Sequence, residues 1–108
     1  MRSGEIEDRW QDYMVRYSKE DEGVVEIEFK DTAPIEFKGI NLFSDPDALR
    51  KLVRLDGEAL QGTGTIVLLN LGISTWNLDD LASPRTLCLF CRSRWDDVKH
   101  RLTPYMIE

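Results

Sequence analysis

Apolar and polar residues alternate with a period of two through most of residues 11–30. Val25, Ile27 and Phe29 alternate with Glu26 and Glu28, and residues 13–18 follow the same period. This period is typical of β-strands, and the polar segment 19–23 ends in a glycine, as connecting loops often do. We therefore expect a hairpin, preceded by one helical turn over residues 5–10. A longer helix competes for residues 5–18, because one helical face would collect Ile6, Trp10, Tyr13, Met14 and Tyr17.

Three further segments are predicted to be extended. In residues 35–43 the apolar positions change phase at Gly39, which indicates a β-bulge or a bend. Residues 65–71 and 86–92 are apolar at odd and even positions alike. A strand with this pattern is covered on both faces, so we expect both segments in the middle of a sheet.

The connections carry turn residues. Residues 61–64 read Gln-Gly-Thr-Gly and predict a turn. Gly72 permits a bulge, after which residues 73–78 either continue the strand or pair back on it. Residues 79–85 predict a loop that begins with two adjacent aspartates.

Two helices are predicted. The longer one covers about residues 45–56, with Ser44 as its N-cap and Gly57 as its C-terminal stop. A short C-terminal helix follows Ser93 and ends at Pro104. Their apolar stripes are Leu49, Leu52 and Val53 in the first helix, and Trp95, Val98 and Leu102 in the second. The order of elements predicts one α+β domain over residues 1–108, with a mainly antiparallel sheet of five to six strands packed by these helices.

Charge and composition narrow the possible partners. The 108 residues carry a net charge of −6, which argues against nucleic acid because phosphate binding requires clustered lysines and arginines. The same charge suits a basic protein partner. No apolar run approaches the ~18 residues of a membrane helix, and the first ten residues lack the apolar core of a secretory signal. We therefore expect a cytoplasmic protein without membrane contact.

The residues with catalytic or metal-binding potential do not form a recognisable site. Cys88 and Cys91 lie in an apolar strand, where positions three apart point to opposite faces, so we expect structural thiols and no metal or cofactor. His100, the single histidine, lies off the predicted helix stripe and reads as solvated. Ser74 follows a Gly-Ile step that is similar to a nucleophile elbow, but the closing glycine is absent. We predict no catalytic residue.

Four segments resemble a group of small bacterial proteins, some of which are similar to immunity proteins of contact-dependent or polymorphic toxin systems. They are DYMVRYSKEDEGVVEIEF, FKGINLFSDPDALRKL, TIVLLNLGISTW and RSRWDD, within residues 12–97. The resemblance implies a protein that neutralises a basic toxin domain by occlusion. It brings no catalytic residue with it.

Two functions of different classes follow. The first is a non-catalytic protein-binding domain, with Trp76, Asp79 and Asp80 as the expected contact residues, because tryptophan beside acids suits an interface anchor with a charged rim. The alternative is a small enzyme or ligand-binding domain with carboxylates in a cleft near Trp76. A convex acidic face would favour the first function, and a pocket with converging acids would favour the second.

Overall fold

The structure, a computed structural model, describes residues 5–20, 23–62, 64–78, 84–91, 94–96 and 99–105. Within them, ten strands and one α-helix follow one another along the chain. They are β1 Glu5–Arg9, β2 Tyr13–Ser18, β3 Val24–Lys30, β4 Glu36–Phe37, β5 Ile40–Asn41, α1 Ala48–Asp56, β6 Leu60–Gly62, β7 Thr65–Leu68, β8 Ile73–Trp76, β9 Thr86–Phe90 and β10 Thr103–Pro104.

Eight of these strands form one antiparallel sheet in the order β1-β2-β3-β9-β8-β7-β6-β10. Two meanders, β1 to β3 and β6 to β9, meet where β3 pairs with β9. The described residues therefore confirm the α+β class and the antiparallel sheet. The expected count of five to six strands is wrong for the main sheet, because the short strands at and near its two edges lack a clear alternation.

One face of the sheet, here called the inner face, carries the main core. Leu68, Ile73 and Leu87 point from the sheet towards Leu49 and Leu52 of α1, and all five are buried. The β4–β5 hairpin packs beside the helix with Ile40, and neighbouring Leu42 and Phe43 complete the layer. The stripe predicted for the longer helix is thus confirmed as its buried face.

The longer helix begins three residues later than expected. Ala48 is its first residue and Asp47 occupies the N-cap position, without a side-chain cap. Asp45 accepts a hydrogen bond from the Asp47 backbone N–H at 2.8 Å and so closes the turn before the helix. The prediction of Ser44 as the cap is therefore wrong. Gly57 ends the helix with φ of +82°, as predicted.

Three expectations about the strands need correction. Residues 5–9 are strand β1 and not a helical turn, because pairing with β2 outweighs the weak helical periodicity. Residues 35–43 are not one extended segment but contain the β4–β5 hairpin; of the bulge or bend expected at Gly39, the structure has the bend, a turn formed by Lys38 and Gly39 at positive φ. Gln61 and Gly62 belong to β6 and not to a turn, since they pair with β7.

The central strands are shorter than predicted, and β8 pairs back. β7 ends at Leu68, the chain turns through Gly72 at φ of +74°, and β8 returns antiparallel to β7. Val67 and Leu68 are fully buried on opposite faces, which confirms that this segment is covered on both sides. The predicted strand 86–92 is β9, which ends at Phe90.

The C-terminal helix is not confirmed. In the described part of residues 93–104 the chain forms only a 3-10 turn at Lys99–Arg101, and Thr103–Pro104 pairs with β6 as an edge strand. An edge strand tolerates Pro104, which has no N–H to donate to a further neighbour. Trp95 lies half-buried against Phe90, with ring centroids 6.1 Å apart, on the face opposite α1.

Candidate functional site

The outer face, opposite α1, carries the charged residues of the sheet. The alternation of β3 places Glu26 and Glu28 on this face, and the register pairs Glu28 with Cys88 of β9. Arg16 of β2 pairs with Glu26 and also belongs to the outer face. The regular strand pattern of "VEIEF" thus puts two carboxylates side by side at the centre of a sheet.

An ion-pair network ties these carboxylates to the edge strand. Arg16 is paired with Glu26 and donates from Nε to Glu7 Oε1 at 3.2 Å. Arg94 donates from Nη2 to Glu5 Oε1 at 3.0 Å and to Glu26 Oε2 at 3.2 Å. Arg94 therefore links β1 to β3 on the outer face. Its partner Glu5 lies 89 positions away in the sequence.

The network keeps its arginines charged. Burial disfavours the charged form of Arg16, but Glu26, Glu7 and Glu28 outweigh it and raise the pKa of the guanidinium. Arg94 shows the same balance, with Glu5 and Glu26 raising its pKa against burial. Each guanidinium bridges two or more carboxylates, so neither is available to bind an external anion.

Glu28 is the least neutralised of the buried or half-buried glutamates on β3. Its Oε1 lies 3.6 Å from Arg16 Nη2, beyond a normal hydrogen bond, and accepts only a weak bond from Cys88 Sγ at 3.8 Å. Its side chain is 27% exposed, whereas that of Glu26 is 9% exposed. Glu28 therefore presents an accessible carboxylate beside a network that has already satisfied Glu26.

Beside these carboxylates the outer face has a hollow of about 370 Å³. Trp76 of β8 and Trp95 form its aromatic part, and Glu26 and Glu28 contribute the carboxylates. Among the described residues that line it there is no lysine or arginine. We call this feature the outer-face hollow. Its remaining lining consists of Ser74, Cys88 and three threonines, Thr65, Thr75 and Thr86.

Trp76 is held at the mouth of this hollow by a close contact with the β6–β7 turn. Its side chain is 43% exposed, and its ring lies over Gly64, where an added Cβ would stand 2.4 Å from Cζ3. Gly64 has φ of +72°, which also favours glycine. The tryptophan predicted as a functional residue is thus exposed and positioned, whereas Asp79 and Asp80 lie outside the described residues.

The other sequence candidates fall into structural roles. Ser74 is 5% exposed and packs beside Cys88 under the outer face, so it is not an exposed nucleophile. Burial raises the pKa of the Cys88 thiol, and Glu26 and Glu28 add to that rise. Cys91 is half-buried, and both cysteines are free thiols. His100 is exposed, as predicted, on the 3-10 turn.

The described residues contain no group of three or more His, Cys, Asp or Glu side chains arranged to hold a metal ion. Nor does any helix in them have the length and apolar character required to cross a membrane. The carboxylates of the hollow were not among the predicted contact residues. The alternative function expected carboxylates in a cleft near Trp76 without naming them, and the alternation of β3 was interpreted only as a strand.

A second exposed feature lies on the inner face, beyond the edge of the helix. Five of the large exposed apolar side chains belong to β1, β2, β3, β9 and the turn after β1. We call this set the apolar patch; it consists of Ile6 (46% exposed), Trp10 (46%), Tyr13 (36%), Val24 (51%) and Leu89 (39%).

The size of α1 explains why the patch is uncovered. A helix of nine residues is about 14 Å long at ~1.5 Å per residue. Eight strands at a spacing of ~4.8 Å extend over about 34 Å. α1 and the β4–β5 hairpin therefore cover only part of the inner face, and the exposed side chains of the apolar patch lie outside that part.

Searches of this chain against protein-family models, curated proteins and solved structures each gave no significant match.

Proposed function

We propose that this chain is a non-catalytic protein-binding domain that holds a basic partner on the apolar patch. The observation that carries the proposal is the set of exposed apolar side chains on the part of the inner face that α1 does not cover. Contiguous exposed apolar surface on a folded domain is characteristic of interaction sites. In this chain the uncovered surface continues the face on which the main core is built.

The residue types of the patch suit a binding centre. Trp10 stacks on Tyr13 with ring centroids 4.8 Å apart and an interplanar angle of 11°. Tyr13 in turn lies 6.1 Å from the ring of Phe29, which packs against the core. Tryptophan and tyrosine are enriched among residues that dominate binding energy, and a pre-stacked pair loses little side-chain entropy on binding.

Acidic side chains beside the patch favour a positively charged partner. Asp8 is exposed and shares the inner face with Val15, its partner across β1 and β2. Asp12 lies in the turn beside Tyr13, where its Oδ1 accepts a hydrogen bond from Thr32 at 2.7 Å. With the net charge of −6, these acids favour a basic protein surface and speed its association. The sequence resemblance suggests a toxin domain, neutralised by occlusion, as that partner.

The alternative was a small enzyme or ligand-binding domain with carboxylates in a cleft near Trp76, and its enzyme form has less support. An acid–base pair requires a carboxylate that is able to exchange a proton with substrate. Glu26 is held by Arg16 and Arg94, which leaves Glu28 as the accessible carboxylate of the outer-face hollow. One accessible carboxylate beside two tryptophans is better suited to binding than to glycosidase-type catalysis with two acids.

The test uses affinity capture from the native cell, followed by rate measurements with the purified partner at two salt concentrations. Leu89→Ser should weaken binding about thirtyfold or more, as loss of a central contact does. Leu55→Ser is the matched control, because Leu55 is 47% exposed on the far side of α1. Trp10→Ala should mainly accelerate dissociation.

Trp76→Ala combined with charge reversal at Asp79 and Asp80 tests the interface expected from the sequence. If this variant loses the partner while Leu89→Ser and Trp10→Ala bind like the wild type, the interface is at the end of β8. The apolar patch would then not be the binding surface.

A further inference from the structure

The outer-face hollow is a separate feature from the apolar patch, because it lies on the opposite face of the sheet. We propose that it is a binding site for an organic cation, a primary ammonium or a guanidinium group, which is held between Trp76, Trp95 and the carboxylate of Glu28. This inference does not depend on the proposed protein partner.

The chemistry of the lining selects a cation. The faces of tryptophan rings attract ammonium and guanidinium groups, more strongly where water is excluded. Glu28 provides an accessible carboxylate, and its nearest cationic atom, Arg16 Nη2, is 3.6 Å away. The described lining contains no lysine or arginine that would repel a positive ligand. An anion would meet two carboxylates and no available donor of positive charge.

The ion-pair network behind the hollow leaves Glu28 without a close cationic partner. Two arginines, Arg16 and Arg94, bridge the carboxylates of this network, and Arg9 binds Glu7 at its exposed end. The carboxylates are those of Glu5, Glu7, Glu26 and Glu28. Glu28 borders the hollow and is the member of this network with the longest ion-pair distance, 3.6 Å from its Oε1 to Arg16 Nη2.

The size of the hollow also suits a small ligand. A volume of about 370 Å³ lies within the range of small-molecule sites. Trp95 lines the hollow, and its buried Nε1–H has no hydrogen-bond partner among the described residues. Buried donors are normally satisfied. The Nε1 atom is inaccessible in this structure, so the volume and the lining of the hollow carry the inference.

The test is titration of the folded protein, followed by NMR chemical shifts, with probes of one size and different charge. n-Butylammonium and n-butylguanidinium should bind saturably in the millimolar range, whereas n-butanol and butyrate should not. Glu28→Gln should weaken cation binding about ten- to a hundredfold, as loss of a charged hydrogen-bond partner does. Trp76→Ala should weaken it about two- to thirtyfold.

Matched controls separate the hollow from the rest of the surface. Glu36→Gln changes the same charge on exposed β4, and Leu55→Ala removes a large apolar side chain with 47% exposure on α1. Both variants should bind n-butylammonium like the wild type. Equal binding of n-butanol, or unchanged binding in folded Glu28→Gln and Trp76→Ala, would overturn the proposal.

A second probe identifies the source of the cation. N-acetyl-lysine methylamide has the same ammonium group and adds backbone carbonyls that resemble those of a peptide. Binding at least about tenfold tighter than n-butylammonium would assign the hollow to a basic side chain of a protein. Equal binding of the two probes would assign it to a free small amine.

Discussion

Leu52→Ala tests the packing on which both faces of the sheet depend. Leu52 has 0% exposure and lies in the core between α1 and the inner face. The substitution removes three carbons, and at ~0.8 kcal/mol for each buried methylene the transfer contribution alone is about 2.4 kcal/mol. The cavity left behind adds to this, so we expect the free energy of unfolding to fall by about 2–5 kcal/mol.

The measurement is urea or thermal unfolding followed by circular dichroism. A loss of 2 kcal/mol or more corresponds to a fall in Tm of at least about 8 °C for a domain of this size. Leu55→Ala is the control, because it makes the same change in the same helix at a side chain with 47% exposure. The change in helix propensity is shared by the two variants, so their difference reports burial.

We expect Leu55→Ala to change the free energy of unfolding by less than about 0.5 kcal/mol. Equal destabilisation by the two substitutions, or a loss below about 0.5 kcal/mol for Leu52→Ala, would refute the packing of α1 on the inner face. The explanation of the uncovered patch would then fail as well, since it depends on where the helix sits.

Three further predictions concern the outer face and the residues around it. Gly64→Ala should destabilise the fold by about 1–3 kcal/mol and shift the Trp76 ring, which urea unfolding and near-UV circular dichroism would detect; an unchanged spectrum and stability would contradict this. Cys91 should react with iodoacetamide faster than Cys88, whose pKa is raised by burial and by nearby carboxylates, and mass spectrometry of each site would reveal the opposite order if the burial is wrong. Burial opposes the shift at Glu7, but its arginine partners lower the pKa below the usual 4.5. The unfolded chain therefore binds the proton more tightly, and stability should fall as pH drops below 4.5. Glu7→Gln should lose part of this acid sensitivity in urea titrations, and an identical pH profile would exclude the contribution.

Local periodicity correctly predicted the elements whose tertiary contacts favour the same structure as their local pattern. The prediction of α1 came from its apolar stripe and from the glycine at its end. Both signals depend only on residues within a few positions of one another. The period of two in residues 13–29 predicted the β2–β3 hairpin for the same reason. The ends of elements were less predictable: Gln61 and Gly62 read as a turn locally, but their hydrogen bonds go to β7.

The sequence by itself determined the α+β class, the buried stripe of the helix, and the exposure of His100. It also predicted Trp76 as a contact residue, and the structure leaves 43% of this side chain exposed. Those properties depend on side chains within one strand or one helical turn, where composition and period carry the information.

Only the tertiary structure decided the two candidate surfaces. The hollow requires β3 to pair with β9, which brings Glu28 beside Cys88 across 60 positions of sequence, and it requires Arg94 to reach Glu5 and Glu26. The apolar patch exists because a nine-residue helix covers part of an eight-stranded sheet. Strand order and the relative sizes of packed layers are set by contacts between distant segments, and no local pattern of residues encodes them.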